Sequence, residues 1–137
     1  MAHVRQVSTL TLEAAKAICQ AAEAYANKKK WPMAIAIVNA SGGLILYHMI
    51  DDTQPASEDI AMQKARTAAR LRRPTKALED AISGGRAALL SVGALALEGG
   101  LPIEAGGRVV GGIGVSGMAS AQDAEVARAG IAAFKGK

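Results

Sequence analysis

Few side chains in this sequence are equipped for chemistry, and they fall in separate places. Two histidines occur, His3 near the N-terminus and His48 within LILYHMI. In a strand over 44–50, His48 is in phase with Leu44, Leu46 and Ile50, since side chains alternate with period two. Its structural reading is a satisfied strand residue, and its functional ones are a ligand to a metal centre or a proton shuttle. The acids Asp51, Asp52, Glu98 and Glu104 flank expected strand ends, where pockets in such sheets open. Glu98 beside Gly99-Gly100 is the one to test first, because burial against bare backbone would raise its pKa toward neutrality. The candidate proton-transfer groups are therefore His48, Glu98 and Asp52.

Between Lys64 and Lys76 lie six basic residues and no acid: Lys64, Arg66, Arg70, Arg72, Arg73 and Lys76. Cations gather at helix C-termini as a solvated end. The alternative is a pocket for a carboxylate-bearing small molecule, which arginine would hold in bidentate fashion. No HExxH or CxxC spacing occurs and Cys19 is the one cysteine, so no metal site and no internal disulfide is expected. The glycine pattern carries no P-loop lysine, and no GxSxG elbow is present.

These groups need elements to position them. Thr11 reads as an N-cap for a helix with Leu12, Ala15, Ile18, Cys19, Ala22 and Tyr25 on its buried stripe, stopped at Trp31-Pro32. A strand over 33–40, a turn at Ser41-Gly42-Gly43 and a strand over 44–50 form a hairpin, and 51–55 is a polar crossing loop. A helix over about 56–71 presents Ala61, Ala65, Ala68 and Ala69 as a small-residue face, with Lys64 and Thr67 on the next stripe. Lys64 reads as a snorkelling surface residue or as one reaching a pocket. Pro74 opens a short helix to about Ile82. Residues 86–97 suggest a helical turn or loop and then a strand. A strand over 98–105, a turn at Gly106-Gly107 and a strand over 108–116 follow. Alternation puts Val109, Gly111, Ile113 and Val115 on one face and Val110, Gly112, Gly114 and Ser116 on the other. Glycine inside a strand marks a close neighbour. That neighbour is a helix of the same chain, or else a flat ligand or second subunit. Ser120 with Asp123 resembles a capping box for the last helix. The expected architecture is α+β, about five antiparallel strands with helices packed on the faces.

The chain has 137 residues, half of them apolar, with 3% aromatics and a net charge of +4. Mean hydropathy is +0.18 and the pI is near 9.5. This suits one domain over 1–137, with 1–7 a loose tail. The basic excess comes without stacking aromatics or a groove-reading helix, which argues against nucleic acid. No apolar run approaches the ~20 residues of a membrane span, and no secretory signal is evident. A single cysteine fits a reducing cytoplasm. The alanine and glycine faces together suggest a homo-oligomer.

Three stretches carry a resemblance over residues 8–135. They are Asp51-x5-Ser57-x6-Lys64-Ala65-x-Thr67-Ala68, then Arg73-Pro74-Thr75-Lys76, and then Gly99-Gly100-Leu101-Pro102 through Val110–Gly117 to Asp123. Together they resemble the GlcG/HbpS family, the haem-degrading or DUF336 domain, which includes a C-terminal domain of some cobalamin adenosyltransferases. The resemblance implies a profilin-like sandwich, a symmetric oligomer and, in some members, haem binding, for which His48 would be an axial candidate. A related branch resembles 4-hydroxylaminobenzoate lyases, which turn an aromatic hydroxylamine into a catechol and ammonia without a cofactor. There Arg66, Arg70 or Arg73 would hold the carboxylate, while His48 or an acid protonates the leaving group. The chain departs from the family's DGA turn with Asp51-Asp52-Thr53-Gln54 and is arginine-rich after Thr67. The expected small-molecule site lies where the glycine hairpin, the start of the 56–71 helix and the 51–55 loop meet, at a subunit boundary. It would use Asp51, Ser57, Lys64, Arg66, Thr67, Arg70, Arg73, Gly99, Gly100, Gly114 and Ser116.

Overall fold

The structure, a computed structural model, describes residues 2–136. Helix α1 spans Leu12–Lys29, and the Thr11 hydroxyl caps it by accepting from the Ala14 N–H at 3.1 Å. It ends in a left-handed Lys30 whose N–H bonds the Ala26 and Asn27 carbonyls. Strands β1 (Ala34–Asn39) and β2 (Leu44–Met49) form the first hairpin, followed by α2 (Ser57–Leu71) and α3 (Thr75–Ser83). A 3-10 turn over Ala87–Val92 precedes β3 (Gly100–Ala105), β4 (Arg108–Ser116) and α4 (Ser120–Ala132).

The strands form one antiparallel sheet in the order β2-β1-β4-β3. The expected fifth strand does not form: residues 94–97 are irregular after the 3-10 turn, and β3 remains an edge. Pro102 suits that edge, since proline cannot donate to a ladder. Helices α1 and α4 cover one face over a core of Ile18, Met33, Ile35, Ile37, Ile103, Ile113 and Val126. Helix α2 covers the other, where its Ala61, Ala65 and Ala69 meet Ala34, Ala36 and Val38.

The neighbour of the glycine face is that helix. A Cβ on Gly114 would stand 2.0 Å from the Ala61 carbonyl oxygen, and one on Gly112 2.5 Å from that of Ala65. Only bare backbone lets α2 sit this close.

Two bulges alter the expected alternation. On β4 the pairing passes from Ile103–Gly111 to Glu104–Val109, leaving Val110 as the extra residue. Val110 therefore joins Ile113 and Val115 in the α1/α4 core. On β2 the extra residue is Ile45, so Leu44 pairs with Val38 on the α2 face while His48 pairs with Ile35 on the α1 face. His48 is in phase with Leu46 but not with Leu44. The capping box at Ser120 is also corrected. Ala119 is the cap residue, its N–H bonds Gln122 Oε1, and Asp123 turns inward.

Candidate functional site

Lys64 is the anchor of the interior. It leaves α2 on the side facing the glycines and is only 1% exposed, so it is not a snorkelling residue. Its stem fits because Gly99 and Gly114 carry no side chains: a Cβ on Gly99 would lie 2.6 Å from Nζ. A buried ammonium needs partners. Nζ donates to the Val115 carbonyl at 2.9 Å and to Asp123 Oδ2 at 3.0 Å. The other oxygen of Asp123 accepts from the Met118 N–H at 3.0 Å. Burial pushes the Asp123 carboxyl above its ordinary value, opposed first by the Lys64 ammonium and then by the backbone N–H groups of Met118 and Gly117. The pair ties α2 to the β4–α4 junction. Asp123 was legible in the sequence only as a cap, although a lysine bordering an alanine face calls for a carboxylate if it is buried.

The neighbouring hydroxyls are equally occupied. Ser116 Oγ and Ser57 Oγ are 3.0 Å apart, and Gln54 Nε2 donates to Ser57 at 3.1 Å. Thr75 Oγ1 accepts from the Gly100 N–H at 2.9 Å. Thr67 Oγ1 accepts from the Leu95 N–H at 3.0 Å. The structure gathers Ser57, Lys64, Gly99, Gly100, Gly114 and Ser116 as a packed and mutually satisfied interior. The meeting point of the glycine hairpin and the start of α2 is filled by protein, not open to a ligand.

The arginines diverge from that cluster. Arg66 Nε donates to the Gly42 carbonyl at 3.3 Å and Arg70 Nε to that of Ser41 at 3.0 Å, clamping the β1–β2 turn. With Gln63, Thr67, Val92 and Leu95 they line an open cleft of about 340 Å³ between α2 and the 3-10 turn. Arg73 is exposed and bonds the Leu71 carbonyl, outside this cleft. Among the described residues, of the site candidates Lys64, Arg66, Arg70 and Arg73, Arg66 and Arg70 are the ones that line this cleft.

His48 lies on the opposite side of the sheet. Its Nδ1 is 2.8 Å from Glu23 Oε1 of α1, and its side chain is 44% exposed. The sequence reading named His48 and missed Glu23, a partner on another element. Asp51 and Asp52 are exposed and border a shallow cavity with Trp31 and Pro32; Asp52 is left-handed at φ +71°. Glu98 is half-buried, and its N–H donates to Glu79 Oε1. His48, Glu98 and Asp52 do not converge with each other or with Arg66 and Arg70. No acid or histidine among the described residues lines the cleft that holds Arg66 and Arg70. Among the described residues no cluster of His, Cys, Asp and Glu could hold a metal ion, and no helix is long and apolar enough to cross a membrane.

The chain is similar to proteins of the same fold and length. It is 40% identical over 108 residues to protein GlcG of Escherichia coli K12, which covers 78% of this chain and 81% of GlcG. The crystal structure of an HbpS double mutant of Streptomyces reticuli superposes with a TM-score of 0.90 at 34% identity, covering 96% of this chain and 91% of that one. A PduOC–haem complex gives a TM-score of 0.84 at 27% identity, covering 93% and 96%. The family model described as haem degrading protein HbpS-like matches residues 10–132. This chain belongs to the HbpS-like family.

Proposed function

We propose that this chain is a small-ligand-binding domain whose ligand is haem or a similar planar group, with His48 as the nitrogen donor. One observation carries the reading: His48 Nδ1 is held by the Glu23 carboxylate, and the side chain stays substantially exposed. Metal-ligating histidines characteristically give their second nitrogen to such a carboxylate, which sets tautomer and ring orientation. The haem complex of PduOC and the family description support the choice of ligand. Bound haem would supply the iron. His48, with its ring oriented by Glu23, would hold the group through its other ring nitrogen. The donor fits the group, whereas its pocket needs a second wall. None of the five cavities described has a histidine, cysteine, methionine or tyrosine in its lining. A second copy of the chain meeting the β2 edge would provide that wall, which makes the ligand site a subunit boundary.

Titration with haemin tests this. Saturable growth of a shifted Soret band is expected, and His48→Ala should weaken it at least tenfold, on the order of 1.4 kcal/mol. An unchanged affinity and spectrum in that variant would remove His48 from the site.

A second reading rests on the α2 cleft. Arg66, Arg70 and Gln63 beside Val92 and Leu95 suit a single-ring aromatic carboxylate. The 4-hydroxylaminobenzoate lyase reading would use this cleft, with the proton donor coming from another copy. Ammonia release from that substrate checks it, and Arg70→Lys should weaken binding although charge is kept.

A further inference from the structure

We propose that the end of the sheet formed by the β1–β2 and β3–β4 turns, together with residues 5–9, is a binding site for a compact polyanion. The ligand would be a small molecule with adjacent oxyanion groups, as in a di- or triphosphate or a tricarboxylate. A cavity of about 660 Å³ opens there, and Arg5, Arg72 and Arg108 all line it with Ser8, Ser41 and Gly107. No acidic residue is in its wall. Among the described residues, none of the three arginines makes an ion pair. Three arginines around one concavity concentrate like charge there, which a bound anion would relieve. Each guanidinium fork matches a phosphate or carboxylate group.

The convergence is not explained by the ends of the elements alone. Arg72 caps α2 at its C-terminus, where a cation is favourable in any case. Arg5 precedes every helix and Arg108 begins β4, so neither answers to that dipole. Arg72 is also left-handed at φ +55°, a conformation that side-chain-bearing residues seldom adopt. The β1–β2 turn and the chain next to Ser8 are held by hydrogen bonds of their own. Asn39 Oδ1 accepts from the Ser41 and Gly43 N–H groups, and Arg70 holds the Ser41 carbonyl. Thr9 Oγ1 accepts from the Ala40 N–H, and the Leu10 N–H donates to the Val110 carbonyl. These bonds hold residues 9 and 10, which follow directly on Ser8, against both hairpins. No aromatic side chain lines the cavity, which speaks against stacked bases or a porphyrin. The site shares no residue with the His48 edge, so it stands or falls separately from the haem reading.

Calorimetry at constant ionic strength, with inorganic pyrophosphate in one arm and citrate in the other, tests the proposal. Saturable binding is expected in at least one arm, and the preferred arm distinguishes phosphate from carboxylate chemistry. Arg72→Gly keeps the left-handed backbone comfortable and should fold. It and Arg108→Ala should each weaken binding about tenfold, while Arg128→Ala on α4, outside the cavity, should not. Loss of binding in Arg128→Ala to the same degree would mean a diffuse charge effect and overturn the site. So would affinities unchanged in Arg72→Gly and Arg108→Ala, or saturable binding of an oligonucleotide with neither small anion bound.

Discussion

Replacing Lys64 by methionine should cost about 3–5 kcal/mol at neutral pH, because removing one partner of a buried ion pair strands the other. Lys64 Nζ and Asp123 Oδ2 are 3.0 Å apart, with side chains 2% and 3% exposed. Without the ammonium, the buried carboxylate keeps only the backbone donors of Met118 and Gly117. Such a loss is a large part of the ~5–15 kcal/mol that stabilises a typical domain. It should lower the melting temperature on the order of 10–20 °C for a chain of this size. The pH dependence has a definite sign. Burial already holds the Asp123 carboxyl above its ordinary value, with Lys64 as the main opposing influence. Removing Lys64 raises it further. A carboxyl raised in the folded state contributes stability below its unfolded value of about 3.9, and that contribution is lost as pH rises through the folded value. Between the two values the variant should lose up to about 1.4 kcal/mol per pH unit from this group, and the wild type less. Urea unfolding of both proteins near pH 5 and near pH 7.5 measures the gap, which should widen at the higher pH. The double variant Lys64→Met/Asp123→Asn, with neither charge buried, should recover much of the loss. A cost under about 1 kcal/mol, or a gap equal at both pH values, would refute the reasoning.

Three further outcomes follow from the packing. Gly114→Ala should destabilise by at least the upper part of the ~1–3 kcal/mol range for overpacking, because its Cβ would meet α2 backbone at 2.0 and 2.4 Å; an unchanged urea midpoint would contradict this. Tyr47 Oη is buried without a hydrogen-bond partner among the described residues, so Tyr47→Phe should stabilise by about 1 kcal/mol. A lower melting temperature would show instead that the hydroxyl is satisfied. Burial, helped by the nearby Glu23 charge, pushes the Cys19 thiol up to about 12. A disulfide reagent near pH 8 should therefore label it only after unfolding, and fast labelling of the native protein would count against the α1 packing.

What could be read along the chain is what depends on near neighbours in sequence. The Thr11 cap, the two hairpin turns, the alanine stripe of α2 and the demand of Gly112 and Gly114 for a close neighbour all follow from local periodicity and backbone permissiveness. The three motif stretches were enough to point to the family. The expected fifth strand failed because a strand needs a partner to complete its hydrogen bonds, which residues 94–97 do not show in themselves. The bulges at Ile45 and Val110 escaped for a related reason: an extra residue is defined only against the strand opposite. The site followed the same division. Lys64, His48 and the arginine run stood out by residue type, but Asp123 for Lys64, Glu23 for His48 and Arg5 beside Arg72 and Arg108 came from distant segments. Residue chemistry alone determined which groups would need a partner. Which partner each obtained was decided by the tertiary structure, because burial, Coulomb interaction and hydrogen bonding depend on distance in space rather than on separation along the chain.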